Sequence, residues 1–251
     1  TNVSVATYGA LAAEASRHGL LVAGHLPVRV PLGMALAAGQ HSVEHPRIFL
    51  FECYRGAAGF RALPDPMAAY TADMRARFID EHDPVRCAEL MAAMAASDTW
   101  WTPTLQVLRM SALAGNREFR EDPRRRYIPF ILWAGLWQPD AGHASGRDVD
   151  AELYRLAMDN VRQAHEAGVR IVAGTDAGDT YVFPGFAIHD ELAELVRAGL
   201  APTDALRSAT IDAARFTVPS VRRDTDQAVD LVVLTGHAVV DPSTGDALLS
   251  R

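Results

Sequence analysis

The sequence predicts a parallel α/β protein of the (β/α) barrel type, with a small all-β piece at its C-terminal end. Three observations carry this reading. An Ala-rich helical stretch, a glycine, a short apolar strand and then a polar or ionisable residue recur four times along the chain. The strands of these units are runs without apolar/polar alternation, as strands buried on both faces are, and buried parallel strands separated by helices form helix-covered sheets. Three of the strands stop on His25, His45 and Asp176, and barrels of this kind gather their chemistry at the C-terminal ends of several strands. A doubly wound sheet would fit the helix-strand order equally well, but it calls for a Gly-rich turn after its first strand, and none is present.

The units follow in order. "YGALAAEASRHG" reads as a helix ended by Gly19, and "LLVAGHLP" as a strand over 20–25 that delivers His25. "PLGMALAAG" has Pro31 at its first helical position and Gly39 at its end, and leads to a strand over 41–45 that delivers His45. Asp83 and Pro84 suit a helix cap and first turn before "VRCAELMAAMAAS", which precedes a strand over 100–105. The fourth helix, over 151–167, carries Leu153, Leu156, Ala157, Asn160, Val161 and Ala164 on one stripe and leads to a strand over 169–174. These four strands are expected to run parallel, side by side in chain order. Between the third strand and the fourth helix, residues 106–150 hold no strand pattern and the phrase "YIPFILWAGLW", which predicts a helical insertion over the same end of the sheet. Two more helical patterns follow Asp176. The period then shortens in "VDLVVL", "HAVVD" and "DALLS", the last two separated by Pro-Ser-Thr-Gly, so that 1–220 reads as the main domain and 221–251 as a β appendage.

Composition removes several classes of function. With 251 residues, 49% hydrophobic and 22% charged, the chain has the make-up of a globular domain. It contains no apolar run of the roughly 20 residues that span a bilayer, and a net charge of −7 gives no basis for holding nucleic acid phosphate. The expectation is therefore no membrane and no nucleic acid partner, in the cytoplasm by default. All 24 basic residues are Arg, which removes Schiff-base chemistry, lysine phosphate loops and a carbamylated-lysine metal bridge. Two cysteines, Cys53 and Cys87, make no disulfide framework and read as two buried thiols in a reducing compartment.

Two strand-end histidines across one helix, with an Asp at the end of a later strand, suit a divalent metal, since imidazole and carboxylate are usual zinc ligands. Alternation along the second strand puts His41, Val43 and His45 on one face and Ser42 and Glu44 on the other. His41 and His45 are then roughly 13 Å apart and cannot hold one ion, which makes His41 a structural or surface residue. His18 and His165 precede helix-ending glycines, where an imidazole favours the helix dipole. Arg109, Tyr181 and His189 lie near strand ends and are candidates for binding a substrate carboxylate.

"VAGHLP", "SVEHP", "TPTL", "VAGTDAG" and "FAIHDELAELVRAGLAPTDALRSATIDAA", followed by "VDLVVL", resemble the second half of an amidohydrolase-superfamily enzyme. The resemblance is to the imidazolonepropionase-like branch, which includes metal-dependent dipeptidases of the prolidase type. It implies strands 5 to 8 of a (β/α)8 barrel, with His25 ending the fifth, His45 the sixth and Asp176 the eighth. It further implies one or two zinc or other divalent ions, held in part by His25, His45 and Asp176. Asp176 would also move the proton while a metal-activated water cleaves an amide or cyclic amide C–N bond, in a small-molecule or dipeptide-like substrate.

The family's first strand also brings a His-x-His pair and, in binuclear members, its fourth brings a carboxylated Lys. Neither is present, and the chain opens on a helix that belongs before the fifth strand. This predicts a C-terminal portion of a longer protein, missing the N-terminal half of the barrel and, as it stands, weak in zinc binding and in hydrolysis. Half a barrel exposes strand edges, which predicts association with that missing half or with a second copy. The contrasting expectation is a catalytically silent half-barrel, an interaction module without metal.

Overall fold

The computed structural model describes residues 3–143, 148–217, 239–240 and 247–248. Helices α1 (Val5–Arg17) and α2 (Leu32–Ala37) precede strand β1 (Ser42–Glu44), and α3 (Arg47–Glu52), α4 (Ala57–Arg61), α5 (Ala72–Asp80) and α6 (Pro84–Ala95) lie between β1 and β2 (Trp100–Thr102). Next come α7 (Leu105–Leu113), α8 (Arg117–Arg120), a 3₁₀ turn (Pro123–Tyr127), α9 (Phe130–Leu132), a π-helical turn (Trp133–Trp137) and α10 (Gln138–His143). The long helix α11 (Asp148–Glu166) leads to β3 (Arg170–Ile171), followed by α12 (Ala187–Arg197), α13 (Pro202–Ser208) and α14 (Ile211–Thr217).

Local chemistry sets the helix ends. The Ser4 hydroxyl accepts from the Thr7 amide at 3.0 Å at the start of α1, and Gly19, with φ +64°, turns the chain out after its end. The Asp83 carboxylate accepts from the Val85 and Arg86 amides, both at 3.1 Å, with Pro84 in the first turn of α6. In α11, Leu153, Ala157, Asn160, Val161 and Ala164 are buried on one stripe, as the sequence pattern requires, while Leu156 is only half-buried.

Strands β1, β2 and β3 pair in parallel and in that order, with Ser42 opposite Trp100 and Trp100 opposite Arg170. The sheet among the described residues therefore has three strands rather than the four expected, and each is shorter than its sequence pattern. Segment 20–25 runs beside β1 without forming a strand. One backbone bond ties it there, from the His41 amide to the Val22 carbonyl at 2.7 Å. Gly24 then takes φ +116°, outside extended geometry, and its partners are side chains: its amide donates to Ser42 Oγ, and its carbonyl accepts from Gln40 Nε2 at 2.9 Å. β2 ends early because Thr104 takes a left-handed φ of +47° and starts α7.

The main core lies around the sheet. Trp101 is fully buried and meets Phe49 edge-on at 4.7 Å, while Phe78 packs against Tyr54 and Phe60. The expectation of two free thiols is overturned, because Cys53 and Cys87 are joined by a disulfide. Their separation of 34 residues gives no sign of contact, yet Cys53 ends α3 where that helix meets the start of α6. Beyond residue 217 the described pieces are β4 (Val239–Val240) and β5 (Ala247–Leu248), paired antiparallel across the Pro-Ser-Thr-Gly segment. The expected strand "VDLVVL" lies outside the described residues.

Candidate active site

The C-terminal ends of β1 and β3 and the extended segment beside β1 bring His25, His45 and Asp176 together. The Nε2 atoms of His25 and His45 face each other at 2.6 Å, and Asp176 Oδ2 lies 4.0 Å from His45 Nε2. Each ring also has its other nitrogen engaged. His45 Nδ1 pairs with Thr104 Oγ1 at 2.8 Å, and His25 Nδ1 lies 3.2 Å from Glu44 Oε2. This is the arrangement in which a ligating imidazole turns one nitrogen to a metal while an outer partner fixes its tautomer and ring plane.

Backbone conformation builds this convergence. His45 takes φ +70° directly after β1 and Asp176 φ +56° five residues after β3, both left-handed conformations. At His45 the turn ends the strand's alternation, so Glu44, expected on the opposite face, joins the same cluster as His25 and His45. Glu44 and Thr104 are thus site residues that sequence reasoning missed. The Thr in "TPTL" marked its segment but not its side-chain direction. The backbone of His45 is fixed twice, by its amide donating to the Thr102 carbonyl at 2.9 Å and by the Trp101 indole donating to its own carbonyl at 3.1 Å.

Burial holds the His45 pKa down at about 4, with the neighbouring His25 and Arg47 acting in the same direction and Asp176 against them. The ring is therefore neutral at pH 7, the form that binds metal. Near Asp176, burial raises the Asp179 carboxyl above its ordinary range. A cleft opens beside the cluster, lined by His25, Glu44, His45, Arg47 and Glu52 and by the apolar side chains of Leu26, Val28, Ile48, Phe51 and Met67. Arg47 Nε is buried there without a hydrogen-bond partner.

The three weaker candidates are placed elsewhere. Arg109 pairs with the fully buried Glu194 at 3.1 Å and lies over the Phe119 ring. Tyr181 is buried against Trp137 and Phe183, and His189 is exposed on α12. None of them lines the cleft. His41 Nε2 donates to the Phe216 carbonyl, 2.9 Å away, and its ring stacks on the Phe216 ring, which is a structural role. The insertion reaches the Asp176 loop: the Trp137 indole donates to the Gly178 carbonyl at 3.3 Å, and the Thr180 hydroxyl donates to Asp140 at 2.5 Å.

Fold and site together define a mixed α/β protein with a small parallel sheet and a histidine-carboxylate cluster at its strand ends. Residues 1–217 match the model of the amidohydrolase family, and the chain belongs to that family. Among solved structures, bottromycin amidohydrolase is similar at 30% identity with a TM-score of 0.63, over 86% of this chain and 44% of that one. A Xaa-Pro dipeptidase with methionine bound in its active site is more distant, at 19% identity and a TM-score of 0.48, over 96% of this chain and 48% of that one. The chain thus spans less than half the length of either structure. No curated protein matches the sequence.

Proposed function

We propose that this chain contributes His25, His45 and Asp176 to a divalent-metal site, with zinc the foremost candidate, in an enzyme that hydrolyses a C–N bond. The observation that carries the reading is the convergence of two Nε2 atoms and a carboxylate on one point, with both Nδ1 atoms already engaged. That donor set fits a borderline ion such as Zn2+. When bound, the ion would polarise the scissile carbonyl and make a water acidic enough to attack at neutral pH.

The remaining work falls to side chains. Asp176, about half-exposed at the strand end, takes the proton of the attacking water and returns it to the leaving nitrogen. Thr104 and Glu44 hold the two imidazole planes. The apolar side chains of the cleft take the substrate's side chains, and the Arg47 guanidinium, which lines the cleft, pairs with a substrate carboxylate. A terminal carboxylate beside an apolar residue describes a dipeptide or an N-acyl amino acid, so a dipeptidase is the favoured form of the reading.

The test is to screen the full-length protein against dipeptides, N-acyl amino acids, cyclic amides and lactones while measuring bound metal. Amide hydrolysis that is lost on chelation, and lost again in Asp176→Asn, is expected. An Asp176→Asn variant that keeps its rate would remove the proton-transfer role, and one that stays active without metal would remove the metal.

A further inference from the structure

We propose that Cys53, Cys87 and His82 form a second metal site, rich in thiolate, which holds Zn2+ when the cysteines are reduced and gives way to the Cys53–Cys87 disulfide when they are oxidised. The site is independent of the strand-end cluster and of the reaction proposed for it. Its ligand atoms, two Sγ and one imidazole nitrogen, all lie within 4.8 Å of one another. Donors around one tetrahedral zinc, with Zn–S of about 2.3 Å and Zn–N of about 2.0 Å, stand about 3.5–4 Å apart. Small side-chain rotations therefore bring the three onto one ion. A solvent molecule supplies the fourth ligand.

Three buried polar atoms around the sulfurs lack hydrogen-bond partners in the disulfide form. Both ring nitrogens of His82 are shielded from solvent and make no hydrogen bond, and Asn160 Nδ2 is in the same condition. Buried polar atoms are nearly always paired, and orphans point to a missing ion or water. Asn160 Oδ1 faces Cys87 Sγ at 3.7 Å, but a disulfide sulfur has no proton to donate. With a thiolate in place the Asn160 amide can flip and donate N–H to sulfur, the kind of outer support that metal-bound ligands receive. His82 would give a lone pair from one ring nitrogen. The metal-bound state thus gives a partner to one His82 nitrogen and to the Asn160 N–H.

The exchange balances. A dithiol or phosphine reductant delivers two electrons to the disulfide, two protons are taken up, and two thiols form. Binding Zn2+ then releases both thiol protons and leaves two metal-bound thiolates. The consequence reaches the first site through α3, because Cys53 caps its C-terminal end and its first residue, Arg47, lies two positions after His45. Metal or disulfide ties that helix to α6.

The test uses Co2+ as a spectroscopic stand-in for Zn2+. The protein is reduced with a phosphine, stripped with a chelator and titrated with Co2+. Thiolate-to-cobalt charge-transfer absorption is expected at one equivalent, displaced by Zn2+ and absent from the oxidised protein. The strand-end cluster offers only nitrogen and oxygen donors, so His45→Ala should keep the band. His82→Ala should weaken Co2+ binding by at least about tenfold, and Cys87→Ser should abolish the band. Two titratable thiols without a charge-transfer band would overturn the proposal, as would a His82→Ala protein with parental spectrum and affinity. Circular dichroism is recorded on each variant. Because the His82→Ala titration is read with both cysteines in place, it decides the matter even where Cys87→Ser does not fold.

Discussion

His25 and His45 meet at their Nε2 atoms, yet the chain holds them in opposite ways. His45 is buried, its backbone is bonded on both sides, its Nδ1 is paired to Thr104, and Trp101 lies beneath it. The side chain of His25 is 55% exposed, on a segment whose Leu20 and Leu21 are themselves 65% and 56% exposed. That segment is tied to the sheet by a single backbone bond and a few side-chain bonds through Gln40 and Ser42. The difference teaches that one half of the cluster is pre-organised by the core, while the other depends on contacts outside it. Substitutions on the His45 side should therefore change stability and metal affinity together, and substitutions on the His25 side should leave stability nearly unchanged.

The largest effect is expected at the core beneath His45. Trp101→Ala removes a fully buried ring and the indole donor to the His45 carbonyl, and should cost about 3–5 kcal/mol in urea unfolding. A cost under about 1 kcal/mol, the level of a mild substitution, would mean that the core does not fix His45. Next is Glu191→Ala. Glu191, on α12, accepts from the amides of Leu105 at 2.9 Å and Gln106 at 3.2 Å, and so caps α7, whose N-cap Thr104 makes no side-chain cap bond of its own. Its loss leaves two buried donors unpaired, at about 1–3 kcal/mol each.

The same residue predicts a pH dependence. Burial pushes the Glu191 carboxyl up to about 8 from an ordinary 4.5, although the two amide donors pull it the other way. The folded chain then keeps a proton that the unfolded chain releases above about pH 4.5. Its contribution is fully present below that pH, is lost as the pH rises, and levels off above about 8. Urea midpoints measured from pH 5 to 8 should fall less steeply in Glu191→Gln than in the parent. Equal slopes would show that the carboxyl is ionised throughout.

Thr104→Val tests the orientation of His45 alone. It keeps the shape of the side chain and removes the oxygen that Nδ1 meets, so metal affinity should drop about 10- to 100-fold. Calorimetric titration with Zn2+ reads this directly, and an unchanged affinity would assign the ring's orientation to packing. The smallest effect belongs to the other side of the pair: Leu21→Ser, on the exposed segment, should shift stability by no more than about 0.5 kcal/mol. A shift several times larger would show that the segment is packed in solution against something that the described residues do not supply.

Much of the helical framework was legible because its signals are local. Asp83 with Pro84, and Gly19, set helix ends through bonds to residues a few positions away, and the α11 stripe repeats at a helical period within one segment. The parallel order of β1, β2 and β3 was legible as well, since helix-strand alternation allows few other connections. The strand over 20–25 was not. Its apolar composition matches a buried stave, but Gly24 and the lack of a continuous ladder decide its state, and a ladder depends on a neighbour distant in sequence.

The candidate site divides in the same way. Residue types and spacing brought His25, His45 and Asp176 forward, because strand ends in an α/β chain converge whatever the detail of the loops. Glu44 and Thr104 were hidden, since left-handed turns at His45 and Thr104 redirect their side chains, and strict alternation cannot foresee such turns. The partner of Arg109 was hidden for a related reason: a cation near a strand end looks free until the carboxylate of Glu194, 85 residues later, comes to rest against it. The sequence alone determined several helix ends, the order of three strands and three candidate ligands, all of which rest on short-range chemistry and periodicity. Only the tertiary structure decided the Cys53–Cys87 bond, the partners of the imidazoles and the buried carboxylates of α12, because each depends on groups that become neighbours only when the core closes and water is excluded from between them.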